Sequence, residues 1–396
     1  MKRRDLLKAL AAAPLLSHVG TLLAAPATDA RLLFVFLRGG YDANNLLVPT
    51  GSDFYYASRP NIAIPKPGQE NGALALDADW ALHPALRDSI YPMYQRGEAA
   101  FVPFAGTNDL TRSHFETQDT IELGQALEGR RDFRSGFLNR LVHSLNGDRT
   151  QLAMAFTDQL PLIFQGSAQV PNMALRSVGK AGIDARQSRI ISAMYAGTPL
   201  QQPVKEGFVV RDDVAKGLIG EMASANRNAI SSKGFELEAQ RIARLMQDKY
   251  NIGFVDVGGW DTHVGQGAAQ GYLAGRFEEL GRGLAAFAQE MGDEWRNTLV
   301  VVVSEFGRTF RENGNRGTDH GHASVYWVLG GGLRGKQVLG EQLALTQANL
   351  FQNRDMPVLN EYRAVLGGLL QRTFSLSPAQ LQQVFAGVKP VDLRLV

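Results

Sequence analysis

Two short stretches of this chain pair donor groups at spacings that suit a metal ion. Asp261 and His263 stand two residues apart, and so do His320 and His322. In extended backbone residues i and i+2 point the same way, so each pair can present two donors to one cation. Mixed imidazole and carboxylate ligation suits zinc or manganese, and carboxylate-dominated ligation suits calcium or magnesium. The chain has seven histidines, and four of them (His114, His263, His320, His322) fall in polar stretches that follow or precede apolar runs. Three arginines of the same stretches, Arg38, Arg112 and Arg308, are of the type that grips phosphate or sulfate in bidentate fashion. Plainer readings stand beside these: loop hydrogen bonds for Asp261 and the imidazoles, ion pairs for the arginines.

The elements that must position these groups are strands. Residues 31–37 form a near-continuous apolar run that ends at Gly39-Gly40. Similar runs occupy 99–104, 252–257, 298–303 and 324–329, the last stopped by Gly330-Gly331-Gly332. Such runs suit central strands buried on both faces, and Pro103 weakens only the second. Helical periodicity lies between them, in 83–95, 235–250 and 271–292, with further helices expected at 185–196, 358–373 and 377–386. Asn360 is a weak candidate cap for the 358–373 helix. This alternation predicts an α/β fold, a doubly wound and mainly parallel sheet sandwiched by helices. In such sheets ligands bind outside the carboxyl ends of the strands, where the polar residues of this chain gather. Residues of about 150–232 fit the rhythm poorly and read as an inserted cap on one domain spanning 28–396.

Composition bounds the function. The 396 residues are 44% hydrophobic, enough for a sizeable core, and 20% charged. Lys+Arg 41 against Asp+Glu 39 leaves a net charge of +2, which speaks against a nucleic-acid partner. Cysteine is absent, so thiol catalysis, disulfides and cysteine-ligated metals are excluded. No G-x-G-x-x-G turn or phosphate-loop lysine motif supports a nucleotide binder. Residues 1–27 carry Lys2-Arg3-Arg4, an apolar stretch and Ala25-Pro26-Ala27, which predicts an export signal peptide. Arg3-Arg4-Asp5-Leu6-Leu7-Lys8 resembles a twin-arginine signal, so the expected partner is the twin-arginine export machinery and the expected location the periplasm. No stretch is apolar enough for a permanent membrane span.

An ordered set of motifs then carries a family resemblance: residues 36–42 (Phe-Leu-Arg-Gly-Gly-Tyr-Asp), 112–115 (Arg-Ser-His-Phe), 259–263 (Gly-Trp-Asp-Thr-His), 304–309 (Ser-Glu-Phe-Gly-Arg-Thr) and 319–322 (Asp-His-Gly-His). Together they resemble the bacterial twin-arginine-exported family named domain of unknown function 1501, which in turn resembles the alkaline phosphatase and sulfatase superfamily. The resemblance spans about 31 to 390. It implies an alkaline-phosphatase-like fold, with Asp42 as a metal carboxylate and Ser113 as a nucleophile bridging metal and substrate. It implies that Asp261 and His263 bind one metal, that Glu305 stands for an aspartate ligand, and that His320 or His322 is the last histidine. Phe306 occupies a position where histidine is expected and cannot bind a cation, which puts a second ion in doubt. Plainer roles remain for three of these. Asp42 can cap a helix, Glu305 can pair with Arg308 or Arg38, and Ser113 with Glu116 forms a capping-box pattern.

The expected function is therefore a metal-dependent hydrolase of a small anionic ester, a phosphate or sulfate. Zinc, manganese or calcium would be the cofactor, as one ion rather than two. The alternative is a noncatalytic envelope protein that binds a ligand or partner on the same scaffold.

Overall fold

The structure is a computed structural model, and it describes residues 29–145, 153–175, 185–209 and 234–396. The export signal predicted for 1–27, and much of the stretch read as a cap, lie outside the described residues.

Eleven strands are described: β1 (Arg31–Leu37), β2 (Leu47–Val48), β3 (Leu74–Ala75), β4 (Ala81–Leu82), β5 (Ala99–Gly106), β6 (Ala153–Ala155), β7 (Ile252–Val257), β8 (Thr298–Ser304), β9 (Ser324–Leu329), β10 (Gln337–Val338) and β11 (Asn360–Glu361). Eight of them make one sheet in the order β10-β5-β9-β8-β1-β7-β6, with β11 beside β5; β2, β4 and β3 make a small antiparallel sheet. β1 runs parallel to β7 and β8, and β9 is antiparallel to both β5 and β8. The sheet is thus mixed but mostly parallel, and the fold class is α/β.

The two-residue period of β1 divides the core. Leu33, Val35 and Leu37 enter one hydrophobic cluster, and Leu32, Phe34 and Phe36 enter the other. Helices Phe235–Asp248 and Tyr272–Met291 cover the first face through Ile242, Met246, Phe277 and Leu284. Helices Phe137–Leu145, Tyr362–Phe374 and Pro378–Val384 cover the second through Leu141, Leu366 and Leu381. Apolar residues on both faces of one strand demand such two-sided cover.

Pro103 does not end β5. The register shifts between Val102 and Ala105, and Phe104 takes a positive φ of 55°. The proline, which has no N–H to donate, is accommodated at a bulge. Within the stretch read as a cap, Ala153–Ala155 form edge strand β6, paired with β7. One expectation needs correction. Asn360 lies in β11, and the Tyr362–Phe374 helix is capped by Glu361, whose carboxylate accepts from the Ala364 N–H.

Candidate metal centre

The loops after β1, β7 and β8 meet at the carboxyl edge of the sheet. Gly39 (φ 123°) makes the contact close: a Cβ there would sit 2.7 Å from the Asp261 nitrogen. Gly40 packs as tightly against the Phe306 ring. Arg308 ties these loops together from a fully buried position. Its guanidinium donates to the carbonyls of Gly39 (2.7 Å), Gly40, Trp260 (3.3 Å) and Thr318 (3.0 Å), and to an oxygen of Asp261.

Three histidines surround Asp261, and each has one ring nitrogen fixed by an oxygen. The Nδ1 of His114 lies 2.8 Å from Glu305 Oε1, that of His263 lies 3.1 Å from Asp319 Oδ1, and that of His320 lies 2.9 Å from the Arg112 carbonyl. A carbonyl or ionised carboxylate only accepts, so all three Nδ1 atoms donate. In the neutral imidazole this leaves a lone pair on every Nε2. Those lone pairs face the Asp261 carboxylate. His263 Nε2 is 2.9 Å and His320 Nε2 is 3.3 Å from Oδ1, and His114 Nε2 is 3.5 Å from Oδ2. The Nε2 atoms of His263 and His320 are 3.2 Å apart. His114 Nε2 is buried without a hydrogen-bond partner.

Arg308 donates to Asp261 and approaches His263 Nε2 at 3.5 Å, while His114 Nε2 has no donor, so a cation or a proton completes the group. His114, Asp261 and His320 each offer a ligand atom within 4.8 Å of the others. Tetrahedral zinc with bonds of about 2.0–2.1 Å spaces its ligands roughly 3.3 Å apart, close to the separations here. The orphaned His114 nitrogen and the oxygen-fixed tautomers fit a metal ion. Carboxylate partners of this kind orient metal-binding imidazoles and raise their basicity.

The electrostatics divide the histidines. Burial would raise the Glu305 carboxyl, but hydrogen bonds from His114 and Gln118 hold it below the usual range. Burial also opposes ionisation of Asp261, and Arg308 overcomes it and lowers the carboxyl. The Glu305 hydrogen bond raises His114, whereas burial lowers His320. Phe306 lies beneath, with ring centroids 4.9 Å from His114 and 5.0 Å from His320.

Several expected roles change. Asp42 is buried away from this group, in an ion pair with fully buried Arg59; Gln266 Nε2 also donates to it at 2.6 Å. A guanidinium already neutralises its charge, so Asp42 is not a ligand, and its side chain caps no helix. Glu305 is fully buried, with Oε1 accepting from Gly39 N, His114 and Gln118 at 2.8 Å each and Oε2 from Ser304 at 2.9 Å. Its carboxylate is occupied by these donors and orients His114. His322 is outside the group and stacks on Phe351 at 5.0 Å, because a bend at this residue breaks the extended alternation that pairs i with i+2.

The three arginines form no clamp. Arg38 bonds Glu122 (2.7 Å), Asp256 (2.9 Å) and Gln118 (2.9 Å). Arg112 bonds Asp355 and Gln352 at 2.7 Å each, and Arg308 is held by carbonyls and Asp261. Ser113 is the N-cap residue of the His114–Leu123 helix, but its side chain makes no cap bond, so the capping box with Glu116 does not form. Its half-buried position immediately precedes His114.

The sequence patterns assign no role to His114, Asp319, Gln118, Arg59 or Gln266. His114 was legible as one of four loop histidines, and Asp319 as the neighbour of His320. Nothing in the sequence marked Arg59 or Gln266.

Comparison with known proteins adds a family. Residues 29–385 match the profile of a family described as "Protein of unknown function (DUF1501)". Among solved structures, Ps i-CgsB in complex with k-i-k-neocarrahexaose is 8% identical; the match covers 92% of this chain and 75% of that one, at a TM-score of 0.39. A protein in the alkaline phosphatase superfamily from Vibrio parahaemolyticus is 9% identical, with 78% and 62% covered and a TM-score of 0.35. No curated protein matches the chain.

Proposed function

The chain belongs to the DUF1501 family, and for it we propose a metal-dependent ester hydrolase that works outside the cytoplasm. One divalent ion, zinc or manganese, would be held by His114, His263, His320 and Asp261. The observation that carries this reading is the convergence of three Nε2 atoms, each with its Nδ1 proton fixed, on a single carboxylate. A donor set of three imidazoles and one carboxylate argues against calcium, which prefers oxygen. Phe306 removes a donor that a second ion would need.

When bound, such an ion is a Lewis acid that offsets charge on an ester oxygen and lowers the pKa of a hydroxyl group. The rest falls to the chain. Glu305, Asp319 and the Arg112 carbonyl orient the imidazoles, and Arg308 fixes Asp261. Ser113, at the positive end of a ten-residue helix, is the nucleophile in this reading. Its oxygen attacks phosphorus or sulfur, its proton passes to solvent, and the P–O or S–O bond to the alcohol breaks. Water then hydrolyses the seryl ester. The ester's charge would be met by the ion, because Arg38, Arg112 and Arg308 are committed elsewhere.

The test uses purified protein with aryl phosphate and aryl sulfate esters. About one equivalent of bound zinc or manganese and turnover of either ester support the reading. Ser113→Ala should keep the ion and lose turnover by about a hundredfold or more. Full turnover in that variant would assign the attack to water. No bound ion and no turnover with either metal added would overturn the proposal.

The committed arginines and Phe306 favour one second reading, a noncatalytic envelope protein. Unchanged cellular function in both Ser113→Ala and Asp261→Ala would select it. The export route, through the signal in residues 1–27, belongs to the same proposal. Among the described residues no helix is long and apolar enough to cross a membrane.

A further inference from the structure

A cavity of about 630 Å³ lies at the opposite edge of the sheet, away from the histidines. Its walls include Ala30, which precedes β1, and Thr298, which begins β8. The metal centre lies past the other ends of these seven-residue strands, roughly 20 Å away at about 3.3 Å per residue. The two sites do not share a residue.

The cavity is built rather than incidental. Gly331 and Gly332, the turn that stops β9, wedge against the chain before β8. A Cβ on Gly331 would meet Trp295 Cδ1 at 2.6 Å, and one on Gly332 would meet the Arg296 carbonyl at 2.5 Å. That packing fixes the backbone of Arg296, whose exposed side chain extends along one wall beside Leu333. Leu299 and Leu376 add apolar surface. Three guanidinium groups line the space: Arg296, Arg334 and Arg372. The acidic side chain among the lining residues is Asp392, and Arg372 donates to it. Arg296 and Arg334 make no side-chain hydrogen bond or ion pair among the described residues.

We propose that this cavity is a second ligand site, which takes a small organic anion with an apolar body. Two uncommitted guanidinium groups suit a phosphate or carboxylate head. The leucines suit a short alkyl chain or a ring, and the volume lies in the range of small-molecule sites. The ester hydrolysis proposed above needs none of these residues, so the two ideas stand or fall separately.

Calorimetric titration of the purified protein with octyl phosphate, octanoate, inorganic phosphate and octyl glucoside tests the site. Octyl phosphate or octanoate should bind at one equivalent, about tenfold tighter than inorganic phosphate or octyl glucoside. The tighter of the two names the head group. The R296Q/R334Q variant should lose about tenfold in affinity while melting at the wild-type temperature. Asp261→Ala should bind the same probe unchanged. The single variant L333S, with both arginines in place, should weaken octyl phosphate but not inorganic phosphate. Equal affinity for octyl glucoside, undiminished binding in R296Q/R334Q, or loss of the probe in Asp261→Ala would each overturn the proposal.

Discussion

His114, His263 and His320 resemble ordinary half-buried histidines until the partners of their Nδ1 atoms are considered. A carboxylate, a second carboxylate and a carbonyl fix the protons, and every Nε2 then turns to Asp261. Removing the shared carboxylate should therefore abolish binding: Asp261→Ala is expected to carry no zinc or manganese by elemental analysis after dialysis, where the wild type carries one equivalent. Glu305→Gln keeps the shape of the side chain but loses the charge that orients His114. Its metal affinity should fall about 10–100-fold in a chelator competition, with the melting temperature of the metal-free protein changed far less. An unchanged affinity would mean that the charge of Glu305 does not act through His114. Asp42 shows the opposite lesson at the same scale. The family resemblance implied a ligand, but Arg59 seventeen residues on is buried against it, and no local pattern shows such a pairing.

At the scale of elements, loops rather than strands carry the site, and tight turns hold them in place. Gly39→Ala would force a side chain into a backbone conformation that L residues rarely adopt and set its Cβ against Asp261. That variant should melt several degrees lower and bind metal more weakly than Gly39 protein. His83 anchors the far side of the 261–271 loop: its Nδ1 accepts from Ala85 N at 3.1 Å, so its Nε2 donates to the Ala268 carbonyl at 3.1 Å. Burial pushes this imidazole down to about 4. Below its ordinary value near 6.5 the unfolded chain binds a proton that the folded chain refuses, so stability rises with pH in that window. Stability should thus be full at pH 7 and fall between about pH 6.5 and 4. Urea unfolding of His83→Gln should show a shallower decline over this range. An identical slope would place the acid sensitivity elsewhere.

For the whole molecule, one sheet separates two chemically different edges. The carboxyl edge gathers imidazoles and carboxylates, and the other edge gathers arginines around a cavity. If the protein is exported as proposed, passage across the membrane precedes either activity. Replacing Arg3 and Arg4 with lysine should leave unprocessed precursor in the cytoplasm, with the metal centre intact; processing at the wild-type rate would remove the twin-arginine assignment. The strands and most helices were readable from the chain because a strand buried on both faces must be apolar throughout, and an amphipathic helix must repeat near 3.6 residues. The same local logic marked Asp261, His263 and His320 as donors. It could not rank them against His322, because extended spacing assumes a straight backbone, and the resemblance that implied Glu305 and Asp42 ignores distant partners. A bend at His322, the hydrogen bonds around Glu305 and the guanidinium of Arg59 are properties of chain segments far apart in sequence. Residue types and periodicity set which groups exist and which edge they reach. Packing of the loops alone decides which of those groups share a centre, because that depends on distances no single stretch of sequence contains.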